Sequence, residues 1–327
     1  MRRLGLLGTM VWDRIHARDG RAVPVEEWGG VGYALAAAAA ARPENWTIVP
    51  IVKIGADLQE AAWHFLRRLP GLDFEHGVRI VPDPNNRVEL RYQDRERRCE
   101  RMTGGVPPWP FEELAAIVEP LDALYINFIS GFEFGLDTAL RLRAAFTGPI
   151  YADLHSLFLG IDPSGWRLLQ PLEAWRDWLS CFDIAQVNEE ELGMLAAHWG
   201  DPWRFAADVV GPELRMLVVT LGERGAAYIA SDDFGDGPLG WNRSRIQPPT
   251  VHARTTARSE KFMPPAVGVV GDPTGCGDVW GATCFCRLLA GAPIETAARD
   301  ALAAAARNVT FRGATGLYEH LTGRIPT

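Results

Sequence analysis

The sequence predicts an α/β fold in which a mostly parallel central sheet is covered by helices on both faces. Short apolar runs alternate with helix-like stretches over most of the 327 residues. The runs are apolar throughout rather than at every second position, which is typical of strands buried on both faces of a parallel sheet. The length suffices for one large domain or for a core with a small accessory unit.

The elements follow from these patterns in chain order. Strands are predicted at the apolar runs 4–11, 47–54, 123–129, 150–154, 184–187, 216–221 and 226–230. Helices are predicted near 31–41, 57–69, 111–118, 136–146, 166–180, 189–198 and 202–210. Residues 34–41 are nearly all alanine, the best helix former, and small side chains let a helix lie close against a sheet. We therefore expect that helix in the core.

Three segments do not fit the layered core. Residues 12–28 are mixed and turn-rich, and residues 86–103 alternate between apolar and polar side chains, as a strand with one solvated face should. We expect these two segments to leave the main sheet and pair as a small accessory sheet within a single domain, residues 1–327. Residues 231–265, rich in Pro, Asp and Ser/Thr, predict long surface loops.

Composition argues against several classes of protein. The formal net charge of −8 argues against a nucleic-acid partner, and the densest arginine run, 91–101, is interleaved with acids. No apolar run approaches the roughly 18 residues that span a bilayer, so no membrane association is expected. The five cysteines show no C-x-x-C spacing, which favours reduced thiols in a cytoplasmic protein.

Motifs of several enzyme classes are absent. The chain has no G-x-x-x-x-G-K-[ST], H-E-x-x-H or G-x-S-x-G. The glycines at 30 and 32 lack the third glycine of a dinucleotide fingerprint, so a nicotinamide dehydrogenase is the weakest candidate. The run DLHS at 153–156 places triad residue types side by side, but triads are assembled in space rather than in sequence, so a hydrolase is a remote alternative.

Two segments near the middle of the chain could carry chemistry or could be structural. In VNEEE (187–191), Asn188 and Glu191 have the spacing of a capping box, and an amide and a carboxylate can also hold the water shell of Mg²⁺. In VTLGERG (219–225), a strand ends in a glycine-punctuated turn that suits a nucleotide or phosphate, or a plain hairpin.

Two glycine-rich segments precede helices. WGGVG (28–32) precedes the alanine helix, where a bare backbone can approach a small ligand, although tight helix–sheet packing explains it equally well. GDPTGCGDVWGA (271–282) places Asp278 where a flexible turn leads into an apolar helix. The first N–H groups of such a helix have no partner inside it and attract anions, so Asp278 is either a capping residue or a base beside a bound phosphate.

In this order the segments resemble the PfkB (ribokinase-like) family of sugar and nucleoside kinases, nearly end to end. The family's C-terminal signature, commonly DTTGAGD, matches DPTGCGD at 272–278. Its N-x-x-E motif falls on Asn188 and Glu191. The other matches are a T-L-G-x-x-G turn, an N-terminal glycine pair and an acid after the first strand: Thr220, Leu221, Gly222 and Gly225; Gly29 and Gly30; Asp13.

The resemblance implies a ribokinase-like three-layer α/β/α sandwich with a small β-sheet lid built from segments of approximately 12–28 and 86–103. It also implies an activity, because phosphoryl transfer needs an activated hydroxyl, stabilised phosphate charge and in-line positioning. Asp278 would be the general base that takes the proton from a substrate hydroxyl. The backbone N–H groups of Gly275, Cys276 and Gly277 would form the anion hole for the transferring phosphoryl group.

The implied cofactors are ATP and Mg²⁺. In part of the family a monovalent cation (K⁺) also binds beside the anion hole, and this sequence leaves that point open. Asn188 and Glu191 would order Mg²⁺ through water near the β/γ-phosphates. The remaining roles are nucleotide contacts for Thr220, Gly222, Gly225 and, near the adenine, Asn308, and contacts to the acceptor hydroxyls for Asp13, Gly29 and Gly30.

The departures from the family pattern concern the acceptor. Ala34 stands where members that bind ribose usually carry Asn, which argues against ordinary ribose. The leading hypothesis is an ATP- and Mg²⁺-dependent kinase acting on a hydroxyl of a sugar or sugar-like small molecule. The alternatives are a nucleoside kinase of the same family, with Trp12, Trp28 and Tyr92 as stacking candidates, and a kinase-like regulatory protein that does not catalyse. Exposed strand edges in the lid would allow a homodimer.

Overall fold

The computed structural model describes residues 1–16, 23–92, 98–235, 237–241, 257–264 and 271–324. The strands are β1 (Arg2–Leu7), β2 (Met10–Ile15), β3 (Val25–Gly30), β4 (Trp46–Gly55), β5 (Val78–Val81), β6 (Arg87–Tyr92), β7 (Arg98–Thr103), β8 (Ala123–Asn127), β9 (Ile150–Asp153), β10 (Leu159–Ile161), β11 (Arg167–Leu169), β12 (Ile184–Asn188), β13 (Met216–Thr220), β14 (Ala226–Ser231) and β15 (Ala257–Phe262). The α-helices are α1 (Val31–Ala41), α2 (Gln59–Leu66), α3 (Phe111–Val118), α4 (Leu136–Ala145), α5 (Trp175–Ser180), α6 (Glu189–Leu195), α7 (Pro202–Val209), α8 (Cys276–Leu289), α9 (Ile294–Asn308) and α10 (Leu317–Leu321).

The main sheet has nine strands within the described ranges, in the order β15-β14-β13-β12-β9-β8-β1-β4-β5. Neighbours from β13 to β5 pair in parallel, whereas β13, β14 and β15 pair antiparallel. The predicted mostly parallel α/β fold is therefore confirmed. The parallel strands end at one edge of the sheet, where ligands of open α/β folds bind.

Helices cover both faces of the sheet because successive strand residues point to opposite sides. In β1, Leu6 packs in one core and Leu7 in the other. The first core contains α1, α2, α8, α9 and α10, and the second contains α3 to α7. The alanine helix α1 is almost wholly buried and packs against α8, as its composition predicts.

A separate four-stranded sheet, here called the lid, has the order β3-β2-β6-β7. The predicted small sheet is therefore present. Its two edges are partly covered: the Met102 amide of β7 donates to the Gly165 carbonyl (2.8 Å), and the Ala314 amide donates to the Trp28 carbonyl of β3 (2.8 Å). A homodimer through these edges stays a prediction.

Three predicted segments were wrong in part. The strand expected at 4–11 is divided between β1 and β2, because the chain leaves the main sheet after Leu7 and enters the lid at Met10. The helix expected at 166–180 begins only at Trp175, since residues 167–169 form a hairpin strand and Pro171 disfavours helix in the residue before it. The loop expected at 231–265 contains β15, a polar edge strand, while residues 242–256 lie outside the described part of the chain.

No helix among the described residues has both the length and the apolar character that crossing a bilayer would require.

Candidate active site

Asp278 lies in the first turn of α8, directly after a tight glycine turn. Gly275 is the N-cap residue of this helix and has φ 80°, a conformation that favours glycine. A Cβ at Gly275 would also overlap the ring of Tyr33 in α1, so the turn lies against the helix that follows the glycine pair. Asp278 is half-buried, and its Oδ1 accepts a 2.8 Å hydrogen bond from Asn127 Nδ2 at the end of β8.

Two of the amides at this helix start already have backbone partners. The Cys276 N–H donates to the Pro273 carbonyl (3.1 Å), and the Val279 N–H donates to the Gly275 carbonyl (2.9 Å). The first N–H groups of a helix lack intrahelical acceptors, so those between these two residues are the ones left to face an anion. This geometry favours the Gly277 amide over the Cys276 amide as an anion donor.

A buried polar layer supports the turn from below. Gln186 Nε2 in β12 donates to Asp153 Oδ2 (2.8 Å) and to the Gly277 carbonyl (3.1 Å), and Gln186 Oε1 accepts from the Tyr151 hydroxyl (2.6 Å). Sequence reasoning did not select Asn127, Asp153 or Gln186. A signal was available, because Asn127 and Asp153 are polar residues that end otherwise apolar strands, and Gln186 is a polar residue inside the apolar run of β12.

Asp153 is the acid most affected by this layer. Burial raises the pKa of Asp153 to about 8, the Asp278 carboxylate adds to the rise, His155 opposes it, and Glu191 adds a smaller increase. The largest cause is the burial of Asp153, which disfavours its charged form, and the repulsion from neighbouring carboxylates comes second. A bound cation would relieve this repulsion.

Asn188 and Glu191 form the predicted capping box at the start of α6. The Glu191 amide donates to Asn188 Oδ1 (2.9 Å), and the Asn188 amide donates to Glu191 Oε2 (2.7 Å). Glu191 Oε1 accepts from Asn188 Nδ2 (2.6 Å) and lies 2.6 Å from His155 Nδ1. His155 therefore belongs to this cluster, a role that the residue order DLHS does not indicate.

The donor types of this cluster fit Mg²⁺, which prefers carboxylate and amide oxygens and keeps several of its waters. The Glu191 side chain is only 1% exposed and is already hydrogen-bonded at both oxygens, which suits contact through water. The acids Asp278 and Glu191, which add to the rise that burial causes in the pKa of Asp153, are consistent with a cation here.

The predicted nucleotide residues occupy different environments. Thr220, the last residue of β13, is the register partner of Asn188 in β12. Gly222 has φ 58° and open space where a side chain would point, whereas a Cβ at Gly225 would overlap the Phe262 carbonyl of β15. Asn308 is fully buried: its Nδ2 donates to the Thr274 carbonyl (2.8 Å) and contacts Cys276 Sγ (3.4 Å). Asn308 therefore supports the turn from behind.

On the lid side, the structure brings Asp13 and the glycine pair together. Asp13 is 5% exposed, and a Cβ at Gly29 would overlap its carboxylate, so only glycine leaves room for this side chain. Gly30 has φ 55° and is the N-cap residue of α1. Its neighbour Val31 donates from its amide to the Thr9 carbonyl (3.1 Å) at the exit of β1.

The aromatic residues considered for stacking lie on the opposite face of the lid. Trp12 and Trp28 are register partners and alternate with Asp13 and Gly29, so their side chains point away from that carboxylate. Their rings form a T-shaped pair with centroids 5.1 Å apart, and Trp28 Nε1 donates to the Ala61 carbonyl in α2 (3.3 Å). They pack the lid against α2. The Tyr92 side chain lies outside the described part.

Comparison with known proteins agrees with the predicted family. Residues 161–320 match the model of the pfkB family carbohydrate kinases. No curated protein matches the chain. The resemblance to the PfkB family is thus confirmed for this segment, and the solved structures below extend the agreement of the fold to nearly the whole chain.

Three solved structures show this likeness. A putative ribokinase II from E. coli in complex with ATP and Mg²⁺ has a TM-score of 0.69 at 17% identity, over 99% of this chain and 100% of that one. A nucleoside kinase of Burkholderia thailandensis in complex with inosine has a TM-score of 0.68 at 16% identity, over 98% and 96%. A pyrophosphate-dependent kinase in the ribokinase family, complexed with a pyrophosphate analogue and myo-inositol, has a TM-score of 0.69 at 19% identity, over 97% and 98%.

Proposed function

We propose that this chain is an ATP-dependent kinase that transfers the γ-phosphate to a hydroxyl of a sugar or sugar-like small molecule. The observation that carries the proposal is the turn before α8. It places a carboxylate, Asp278, among helix-start amides at the edge where β8, β9 and β12 end. The pfkB match over residues 161–320 supports the same reaction class.

The turn can supply two of the three requirements of phosphoryl transfer. Asp278, held by Asn127 Nδ2, accepts the proton of the acceptor hydroxyl as general base. The backbone of Gly275, Cys276 and Gly277, with the Gly277 amide foremost, serves as the anion hole, because partial positive charge at a helix start stabilises phosphate oxygens. Asn308 and the Gln186 side chain keep this backbone in place.

The donor side is assigned to the ends of β12 and β13. Asn188 and Glu191 would hold Mg²⁺ through water, with His155 orienting the Glu191 carboxylate. When bound, the ion neutralises phosphate charge. Thr220 and the open turn at Gly222 would line the nucleotide, while Gly225 shapes that turn against β15. Some fold relatives are pyrophosphate-dependent, so ATP as donor is part of the proposal.

The acceptor side is assigned to the lid. Asp13 is an ionisable group held against the backbone of Gly29, and its carboxylate can accept hydrogen bonds from acceptor hydroxyls. Gly30 lets the chain turn sharply from the lid into α1. The lid and the turn before α8 would hold the hydroxyl in line with the phosphoryl group, which removes much of the entropic barrier.

The proposal is tested by measuring phosphate transfer from ATP, and separately from pyrophosphate, to a panel of sugars, sugar acids and nucleosides. The Asp278→Asn variant should bind ATP as the parent does and lower turnover by at least roughly 10²-fold, the usual scale of a general base. The matched control is Asp137→Asn, which makes the same change at an exposed acid of α4.

Equal turnover by Asp278→Asn and the parent would remove the assigned role of Asp278. Turnover with pyrophosphate but not with ATP would show that pyrophosphate is the phosphate donor. Turnover with nucleosides but not with sugars or sugar acids would show that the chain is a nucleoside kinase. ATP binding without turnover on any acceptor would favour the non-catalytic regulatory alternative.

A further inference from the structure

Arg167 lies on the same face of the lid as Asp13. Asp13 is the register partner of Val88 in β6, Val88 is the partner of Met102 in β7, and Arg101 forms a bridge with Trp166. Because side chains alternate along a strand, Arg167 shares the face of Met102, Val88 and Asp13 rather than that of Arg101. The contact between Arg167 Nη1 and Met102 Sδ (3.3 Å) agrees with this placement.

This guanidinium is half-buried without an ion pair. Arg167 Nη1 donates to the Ser130 carbonyl (2.6 Å), and Nη2 lies 3.5 Å from the Ser156 carbonyl. Among the described residues, no carboxylate lies within 4.0 Å of it, and its buried Nε has no acceptor. Burial lowers the pKa of Arg167, and the more distant Glu100 and Glu133 only partly oppose this effect.

The two carbonyls that Arg167 contacts belong to segments that lead to the proposed reaction centre. Ser130 is three residues after Asn127, the partner of Asp278, so the Cα atoms of residues 127 and 130 are at most about 11 Å apart. Its loop is held by Glu133, which accepts from the Ser130 amide (2.7 Å) and the Thr9 hydroxyl (2.7 Å). Ser156 directly follows His155, the partner of Glu191.

We infer that Arg167 binds an anionic group of the acceptor, a carboxylate or a phosphate. This group would be at the opposite end of the acceptor from the hydroxyl that is phosphorylated. This inference rests on the proposed function and names its substrate class: sugar acids or sugar phosphates rather than neutral sugars. A half-buried cation without a counter-ion is unfavourable, and an anionic acceptor would supply the missing charge.

A purely structural role explains less of the arrangement. The contacts of Arg167 with Ser130, Ser156 and Met102 use two N–H groups of Nη1 and one of Nη2, whereas a guanidinium has five N–H donors in a planar fork. A neutral donor such as glutamine could make the same two carbonyl contacts without placing a charge in this crevice. The planar fork of arginine is the group best suited to a carboxylate or phosphate.

The test compares kcat/KM for matched acceptors: ribose, ribonate and ribose 5-phosphate, and glucose, gluconate and glucose 6-phosphate. In at least one set the parent should prefer an anionic member to the neutral sugar by at least about 10-fold. Arg167→Gln should lower kcat/KM for that anionic acceptor by about 10- to 100-fold, the range for losing a charge-assisted hydrogen bond, and so reduce the preference. A preference for the sugar acid over the sugar phosphate, or the reverse, shows whether Arg167 binds a carboxylate or a phosphate.

The control is Arg101→Gln, which removes the same charge from an exposed side chain on the other face of β7 and should keep the preference. A parent without preference for any anionic acceptor overturns the inference whether or not Arg167→Gln folds. So does an Arg167→Gln variant that keeps the preference. If neutral sugars alone are phosphorylated and Asp278→Asn abolishes that turnover, the proposed function stands and this inference fails.

Discussion

Asp153 shows how burial favours the protonated form of a carboxyl group that lies near other acids. It lies at the end of β9 and is hydrogen-bonded to Gln186; burial is the largest cause of its raised pKa, and Asp278 and Glu191 add to the rise. At neutral pH a carboxyl with a pKa of about 8 is mostly protonated. Asp153 therefore lies between Asp278 and the capping box of Asn188 and Glu191 without adding a full negative charge near either of them.

The raised pKa predicts a dependence of stability on pH. The ordinary pKa of Asp153 is 3.8 and the folded-state value is about 8, so the folded protein holds a proton that the unfolded chain releases between these values. The contribution of Asp153 to stability is therefore complete below about pH 4 and is lost as pH rises towards about 8. Asp153→Asn cannot ionise and should lose less stability between about pH 5 and pH 9 than the parent.

Thermal unfolding without metal or nucleotide measures this difference. A chain of this size changes its Tm by about 2–4 °C for each kcal/mol, so the two Tm curves should diverge visibly at alkaline pH. Asp300→Asn, at an exposed acid of α9, controls for loss of surface charge. Parallel Tm curves for Asp153→Asn and the parent would show that Asp153 ionises normally in the folded state.

Residue patterns were informative where an interaction is local in sequence. Asn188 and Glu191 are three residues apart, and the predicted capping box is present. The partners Asn127 and Asp278 are 151 residues apart, so no spacing rule connects them. His155 illustrates the same limit, because its neighbours in sequence suggested a triad whereas its contact in space is Glu191.

At the scale of elements, β2, β3 and the start of α1 act as one unit that presents Asp13. Gly29 lies beside the Asp13 carboxylate with no room for a side chain. Gly29→Ala should displace that carboxylate and lower kcat/KM for the acceptor by about 10- to 100-fold, because small misplacements of positioning groups have effects of that size. The KM for ATP should stay near that of the parent, since the donor is assigned to β12 and β13.

Steady-state kinetics with acceptor and ATP varied separately check this prediction. Gly135→Ala is the matched control, because its added Cβ would meet nothing within 4 Å and its extended backbone (φ −87°, ψ 171°) is one that alanine adopts. An unchanged kcat/KM for the acceptor in Gly29→Ala would show that Asp13 does not position it. A rise in KM for ATP alone would indicate that the lid contacts the phosphate donor rather than the acceptor.

Elements were predictable where the apolar pattern is strong and continuous. The helices at 31–41 and 111–118 begin and end as predicted, the first because of its run of alanines and the second because of its apolar periodicity. The hairpin β10–β11 was not predicted. Leu168 and Leu169 are adjacent apolar residues and both are exposed in the structure, so this stretch lacks the alternation of apolar and polar residues that indicates a strand with one buried face. Its contribution to the lid depends on pairing with β7, which is distant in sequence.

At the scale of the whole molecule, the site is assembled from residues between Asp13 and Asn308. The parallel sheet brings the ends of β8, β9 and β12 to one edge, and α8 begins at that edge. The lid strand β3 leads directly into α1, whose Tyr33 lies against Gly275 in the turn before α8. Motif order was enough to predict the fold and the family whose model matches residues 161–320. The support beneath the turn depends on tertiary contacts, which is why Gln186 and Asn127 emerged only in three dimensions.

The central claim is that one turn, Gly275 to Asp278, both holds the migrating phosphoryl group and deprotonates the alcohol that receives it. A crystal structure with ADP, Mg²⁺, a metal-fluoride mimic of the phosphoryl group and the best acceptor tests it most directly. We expect an acceptor hydroxyl about 2.6–3.2 Å from an Asp278 oxygen and the mimic about 2.7–3.1 Å from the Gly277 amide. A mimic bound away from this turn, or an acceptor whose hydroxyls all face away from Asp278, would contradict the account.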